Sequence, residues 1–220
     1  MSQTTPPSTG SATQAKTRVE PIIEVLVAIL LAFAAICTAW SGYQARLWAG
    51  TQSVYMGQAG ARRTESVRAT TQADQLTMLD MLMYNEWIKA YAAGQKDLQQ
   101  FYEKRFRAEF RPAFEAFLAT DPTNNPDAPT GPFVMPEYQV SKAEEANTLE
   151  QEAADLFSKG QEANKISENY ILTTVFMALV LVFSGFAPRF KWLPVRIAVV
   201  AIALMFLIFG LTNIAGLPIR

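Results

Sequence analysis

Histidine is absent from this sequence. Imidazole acid–base chemistry, histidine metal ligation and every serine–histidine or cysteine–histidine nucleophile pair are excluded with it. Cysteine occurs once, at Cys37, so neither an intrachain disulfide nor a cysteine metal cluster can form. Acidic residues stop at Glu168, and residues 169–220 contain none. There is no phosphate loop: Gly50, Gly57 and Gly60 fall in a helical pattern without Gly-Lys-Ser or Gly-Lys-Thr. A dinucleotide-binding fingerprint is missing as well. Residues 61–93 hold neither glycine nor proline, so the chain from Gln44 to Gly94 can form either one continuous helix or a bent pair.

What is present is apolar surface gathered into runs. Half of the 220 residues are hydrophobic and 18% are charged. The apolar residues concentrate at Ile22–Trp40, Tyr170–Ala187 and Ile197–Leu217. A helix crossing a hydrocarbon core of about 30 Å needs roughly 20 mainly apolar residues, and each run meets that length. Glu24 is the only charge in the first run and lies near its end. Trp40, Tyr43, Tyr170 and Trp192 fall at run ends, where amphipathic rings favour the headgroup layer. The first run reads as a retained anchor. Its apolar stretch exceeds the usual signal-peptide core, and Ile36 is too large for a lipoprotein cleavage site before Cys37.

The fold class that follows is an all-α membrane protein. Three transmembrane helices carry an antiparallel helical stalk, or bundle, inserted between the first and second. The expected divisions are a disordered tail over 1–20, a first membrane helix over 21–42 and a helical extramembrane domain over 43–169. A second membrane helix over 170–187, a short basic loop over 188–196, a third membrane helix over 197–217 and a C-terminus at 218–220 complete the chain. The net charge of −1 hides an asymmetry. Residues 43–170 carry 13 basic and 18 acidic groups, whereas 171–220 carry four basic groups and no acidic one. Lys16 and Arg18 before the first run, and Arg189, Lys191 and Arg196 between the last two, predict that these two segments are cytoplasmic. The 43–169 domain is then periplasmic or extracellular.

Within that domain, Leu76, Leu79, Met83, Trp87 and Tyr91 recur at three and four, which predicts one apolar helix face ending at Gly94. The stretch Ala69-Thr70-Thr71-Gln72 is its weakest part and the place for a bend. A helix over Asp97–Arg111 is predicted from Leu98, Tyr102, Phe106 and Phe110. Pro112 restarts a short helix that carries Phe114 and Phe117. Five prolines exclude helix from 121–140, where Phe133, Val134, Met135 and Tyr138 are expected to pack on the bundle. Ser141 and Glu144 form a capping-box pattern that opens a helix running into the second membrane run.

The most informative stretch is a candidate helix-packing seam. Cys37, Ser41, Ala45, Ala49, Ser53, Gly57 and Ala61 are small residues at a strict spacing of four. Such spacing lets two helix backbones approach closely. The partner is either the returning helix of the same chain or a second copy. In the same region the segment AWSGYQARLWAG, Ala39–Gly50, resembles that of small bacterial three-transmembrane-helix proteins of unknown function. They share the order of anchor, helical domain and two terminal membrane helices. The resemblance implies a bacterial cell (inner) membrane, and no activity or site.

Other polar clusters read as surface. Glu144, Glu145, Glu150, Glu152 and Asp155 form a solvated acidic face. Lys104, Arg105, Arg107 and Arg111 alternate with Glu103, Glu109 and Glu115, the pattern of surface pairing and not of a nucleic-acid patch. The polar residues of the membrane runs, among them Thr38, Thr173, Ser184 and Asn213, include no buried charge pair. No catalytic residue, cofactor site, metal site or small-molecule substrate is expected. The partners expected are the lipid bilayer and either a second copy or another membrane protein. The function expected is a non-enzymatic structural, assembly or accessory subunit. A membrane sensor signalling through a separate partner is the alternative, and an oligomeric pore component is weaker.

Overall fold

The computed structural model describes residues 10–220, with side chains from Pro21 onward. The described residues form five α-helices: α1 (Gly10–Ala92), α2 (Lys96–Glu103), α3 (Arg111–Ala119), α4 (Ser141–Phe186) and α5 (Leu193–Ala215). Single 3-10 turns lie at Pro132–Val134 and Ala187–Arg189, and the described residues contain no strand. The long helices α1, α4 and α5 each contain a stretch long and apolar enough to cross a membrane. Two compact units result: Met1–Tyr55 with Ser158–Arg220, and Met56–Phe157.

In the first unit the packed residues repeat at three and four. Ile23, Val27, Leu30 and Ala34 of α1 meet Met177 and Val180 of α4 and Val200, Ala203 and Leu207 of α5. Their neighbours facing outward are also apolar, including Ile22, Val25, Ile29, Phe33 and Ile36. The inside, by contrast, holds Ser41, Gln44, Ser167, Thr173 and Ser184, all buried. Water would penalise so large an exposed apolar surface, whereas hydrocarbon accepts it. At Gly210 α5 comes close to α4: an added Cβ would run into the Met177 side chain and sit 3.6 Å from the Phe176 Cβ. Pro194 in the first turn of α5 costs no hydrogen bond, so α5 begins ahead of the expected Ile197.

In the second unit α1 continues to Ala92 without interruption at Thr70 and Thr71. Both hydroxyls donate to the carbonyls of Ser66 and Val67 four residues back, and Ala69 and Ala73 are buried beside them. The helix ends as its sequence requires. Gly94 adopts φ +69°, and the N–H groups of Gly94 and Gln95 reach the carbonyls of Tyr91 and Ala90. That pattern closes the last turn at a position where a side chain would be strained. The core here is aromatic: Tyr84, Trp87, Phe106, Phe110, Phe114 and Phe117, with Phe133, Met135 and Tyr138 against them. Most ring pairs meet edge to face, for example Trp87 and Phe114 at 4.9 Å between centroids, an arrangement the ring quadrupole favours.

Several expectations need correction. The helix predicted over Asp97–Arg111 stops at Glu103, and 104–110 is a run of turns. Arg107 is drawn to Asp80 of α1, and Arg111 donates to the carbonyls of Lys104 and Phe106, so tertiary bonds replace helical ones. Phe106 and Phe110 turn inward, while Leu98 stays 37% exposed. On α1 the packed face is Ala73, Asp80, Tyr84, Trp87 and Ala90; Leu79 and Tyr91 are exposed. Val134 of the proline-rich loop is exposed too, unlike Phe133, Met135 and Tyr138. The capping box does not form, because Ser141 Oγ donates to Glu109 instead (2.7 Å). Helix α1 also takes in residues 10–20 of the expected tail, which the sequence does not interrupt after Gly10; residues 1–9 lie outside the described residues.

Candidate functional site

The seven seam residues do not share one environment. Ser41 and Ala45 are buried, Cys37 is half-buried, and Ala49, Ser53, Gly57 and Ala61 are exposed. Added Cβ atoms at Gly42, Gly50, Gly57 and Gly60 would meet nothing within 4 Å. The packed face of α1 instead advances by seven, through Ala45, Gln52, Ala59, Ser66, Ala73, Asp80 and Trp87, all buried except the half-buried Gln52. A stride of seven holds one face toward a partner because two helical turns fall just 20° short of closing. A stride of four turns away from that face by about 40° at each step. On α4 the same stride of seven runs through Ala146, Ala153, Gly160 and Ser167.

Hydrogen bonds tie these faces together within each unit. In the first, Ser167 Oγ donates to the Ala45 carbonyl (2.9 Å). In the second, Ser66 Oγ donates to the Ala146 carbonyl (2.9 Å). Arg62 and Arg63 pair with Glu152 and Glu150 at 3.1 and 3.4 Å, so part of the acidic face is spent on α1.

The densest polar centre is one that periodicity alone missed. Asp80 is 2% exposed. Arg107 forks onto it, with Nε 3.1 Å from Oδ1 and Nη2 2.8 Å from Oδ2. The Tyr138 hydroxyl donates to Oδ2 at 3.3 Å. Arg107 also pairs with Glu109, which accepts from Ser141. The guanidinium is therefore held more firmly protonated than a free arginine, first by its hydrogen bonds to Asp80. Burial pushes the Tyr138 and Tyr84 phenols up. Glu109 is held below the usual carboxylate range, first by the Ser141 hydroxyl and then by Arg107. One carboxylate thus clamps the 104–110 turn and the end of the proline-rich loop onto α1. A signal existed in the sequence: Asp80 occupies the buried stride between Ala73 and Trp87. The other basic residues of that group do not pair as expected, since Arg105 lies over the Phe101 ring at 3.5 Å and Arg111 bonds to carbonyls.

The first unit also holds a charge pair between α1 and α5. Arg196, expected in an open loop, belongs to α5 and is 8% exposed. Its Nη2 lies 3.6 Å from Glu24 Oε1 of α1. Arg196 Nε and Nη2 have no hydrogen-bond acceptor among the described residues, nor do the buried hydroxyls of Ser41 and Ser184 have a partner there. At the opposite end, the Gln44 amide accepts from Arg220 N and donates to Arg220 O. Trp48 Nε1 and the Tyr170 hydroxyl both donate to the Pro218 carbonyl. Three side chains from α1 and α4 thereby fix the segment after α5.

No family model, curated protein or solved structure matches the chain.

Proposed function

We propose that this protein is a non-enzymatic integral membrane protein that works by assembly, as a structural or accessory subunit. The observation that carries this reading is the outer face of α1. Gly57, Gly60 and Ala61 lie exposed there with open space around the glycines. Further along, Met78, Met81, Leu82 and Ile88 are 42–65% exposed. Each glycine costs a helix up to about 1 kcal/mol relative to alanine. No contact among the described residues offsets that cost, and a second helix laid on this face would. The partners in the second unit fall from Glu152 to Ala146 as α1 rises from Arg62 to Ser66. That descent supports an antiparallel helical stalk between the first and second spans.

The compartment belongs to the same reading. Arg189 and Lys191 are exposed at the short turn between α4 and α5, and Lys16 and Arg18 precede the first span. An excess of Lys and Arg marks cytoplasmic segments. The turn and the N-terminal flank then face the cytoplasm of a bacterial cell, and Met56–Phe157 faces outward. Impermeant thiol labelling of Asn125→Cys in a Cys37→Ala background tests this. Labelling of intact cells is expected, and labelling only after the membrane is opened would refute the orientation.

The assembly reading is tested by the mass of the complex released from native membranes into lipid nanodiscs. A mass above one chain, lowered by Gly57→Leu with Met81→Asp, is expected. A single-chain mass for the unaltered protein would overturn it.

A further inference from the structure

A cleft of about 360 Å³ opens in the second unit between α1, the end of α3 and the turn that follows it. Trp87 and Ile88 of α1 and Phe117 and Leu118 of α3 give it apolar walls. The exposed Tyr91, Asp121 and Thr123 complete it. The Tyr91 hydroxyl meets Thr123 Oγ1 at 3.2 Å, which ties α1 to the turn. One face of the Tyr91 ring stacks on Trp87, with centroids 5.3 Å apart. The side chain is still 46% exposed, so its other face is open. Tyr84 lines the cleft from inside the aromatic core, and its hydroxyl has no hydrogen-bond partner among the described residues.

The turn carries a charge that its own geometry does not need. Asp121 takes φ +51° directly after Thr120 caps α3. Glycine and asparagine are the residues at home in that conformation at a helix end. A carboxylate there stands against the partial negative charge of the helix C-terminus, where cations are stabilising. Asn124 donates to both Asp121 oxygens, at 3.1 and 3.0 Å, but brings no charge. Among the described residues Asp121 forms no ion pair, and no Lys or Arg lines the cleft. Glu86 and Lys89, on either side of Trp87 and Ile88 in sequence, pair with each other. Glu103, which accepts from the Trp87 indole nitrogen at 2.9 Å, has the same sign as Asp121. An electronegative opening therefore leads to an apolar, aromatic interior. An open phenol face beside a carboxylate is a setting that holds ammonium groups.

We infer that this cleft binds a small organic ammonium, one positive charge on an apolar body. The charge sits between Asp121 and the open face of Tyr91. The body lies between Ile88 and Leu118, and the Tyr84 hydroxyl offers it one hydrogen bond. A volume near the lower bound of ligand clefts, about 300–1,000 Å³, admits a single ring on a short chain. The inference does not depend on the assembly reading, since every lining residue belongs to one unit of one chain.

The experiment is isothermal titration calorimetry of the full chain in a neutral detergent at pH 7, with empty micelles as the blank. Three probes of matched shape are titrated: phenethylamine as the cation, 2-phenylethanol as its neutral counterpart and phenylacetate as the anion. Phenethylamine is expected to bind tightest and phenylacetate weakest. An exposed ion pair contributes up to about a fivefold change in binding. Asp121→Asn keeps the turn and removes the charge; it should weaken phenethylamine about fivefold and leave 2-phenylethanol unchanged. Leu118→Lys supplies a competing cation without touching the turn and should weaken phenethylamine at least as much. Ile88→Trp, at a position 42% exposed, fills the cleft and should abolish binding of all three probes. Glu115→Gln, on α3 but not in the cleft, should change nothing. Unchanged melting temperatures confirm that the variants fold. The proposal is overturned if 2-phenylethanol or phenylacetate binds as tightly as phenethylamine, or if no probe binds. Unaltered phenethylamine affinity in both Asp121→Asn and Leu118→Lys would overturn it too, as would binding that survives Ile88→Trp.

Discussion

Replacing Arg107 by methionine tests whether one buried ion pair organises the aromatic unit. Methionine keeps most of the stem volume and removes the charge. Asp80, with its side chain 3% exposed, then stays buried with only the Tyr138 hydroxyl at 3.3 Å. Two guanidinium hydrogen bonds to a carboxylate are lost, each worth about 1.5–3 kcal/mol. Breaking a buried pair from one side typically costs about 3–5 kcal/mol, because the remaining charge is stranded. That range corresponds to roughly a 150-fold to several-thousandfold change in an opening equilibrium. Amide hydrogen exchange of the full chain in detergent micelles reads this locally, in peptides covering 76–92 and 104–119. Exchange should accelerate there by those factors and stay unchanged in α5. The double variant Asp80→Leu with Arg107→Met separates charge from shape, since removing both partners leaves no stranded charge. It should recover to within about 1 kcal/mol of the unaltered protein, or exceed it. A change of less than tenfold for Arg107→Met would refute the clamp. A double variant as unstable as the single one would refute the desolvation argument.

Three further outcomes follow from the same geometry. Glu109 has a lowered folded-state pKa, chiefly through the Ser141 hydroxyl; its contribution is present above the ordinary carboxylate value of about 4.3 and is lost as pH falls through the folded value. Exchange in the first turn of α4 should therefore accelerate below about pH 4.3, and Ser141→Ala should flatten that dependence. Gly210→Ala drives a methyl into the enclosed Met177 side chain and is expected to lower stability by about 1–3 kcal/mol, read as a lower melting temperature; an unchanged value would show that Met177 has room to move. Gly57→Leu meets open space within its own chain and should raise helix stability by about 0.8 kcal/mol in an isolated chain; a loss of stability there would place an intrachain contact at Gly57.

How much of this was legible in the sequence depends on which force set each element. The three apolar runs were plain, because hydrocarbon thickness fixes their length whatever the detailed packing. The end of α1 at Gly94 was equally plain, since only glycine takes φ +69° there without strain. The break of the second helix at Glu103 was not. Leu98, Tyr102, Phe106 and Phe110 keep a helical spacing, but Asp80 lies 27 residues from Arg107 and no local pattern announces their bond. The same limit hid Ser141, whose hydroxyl had a local partner in Glu144 and a distant one in Glu109. Where a local and a long-range partner compete for one donor, spacing favours the local one by construction. Arg196 was misplaced for a different reason: Pro194 looked like a loop residue, yet proline is well tolerated in the first turn of a helix.

The seam itself combined two patterns that the structure pulls apart. Small residues at a stride of seven line the facing sides of the two helices, Ala45, Ala59, Ser66 and Ala73 on α1 and Ala146, Ala153, Gly160 and Ser167 on α4. They let two backbones draw close enough for Ser66 and Ser167 to bond directly to the facing carbonyls of Ala146 and Ala45. A bulky residue at those positions would push the hydroxyls out of reach. The stride of four coincides with this face at Ser41 and Ala45, then rotates off it, so that Ala49, Ser53, Gly57 and Ala61 emerge on the outside. Intrachain packing accounts for the first pattern and leaves the second without a stabilising contact. A solvent-exposed helix gains nothing from glycine, and charged residues would serve its solubility better. The outer stripe is therefore what a close helix partner would require of α1. The buried stripe shows what such a contact looks like when its partner, α4, is present.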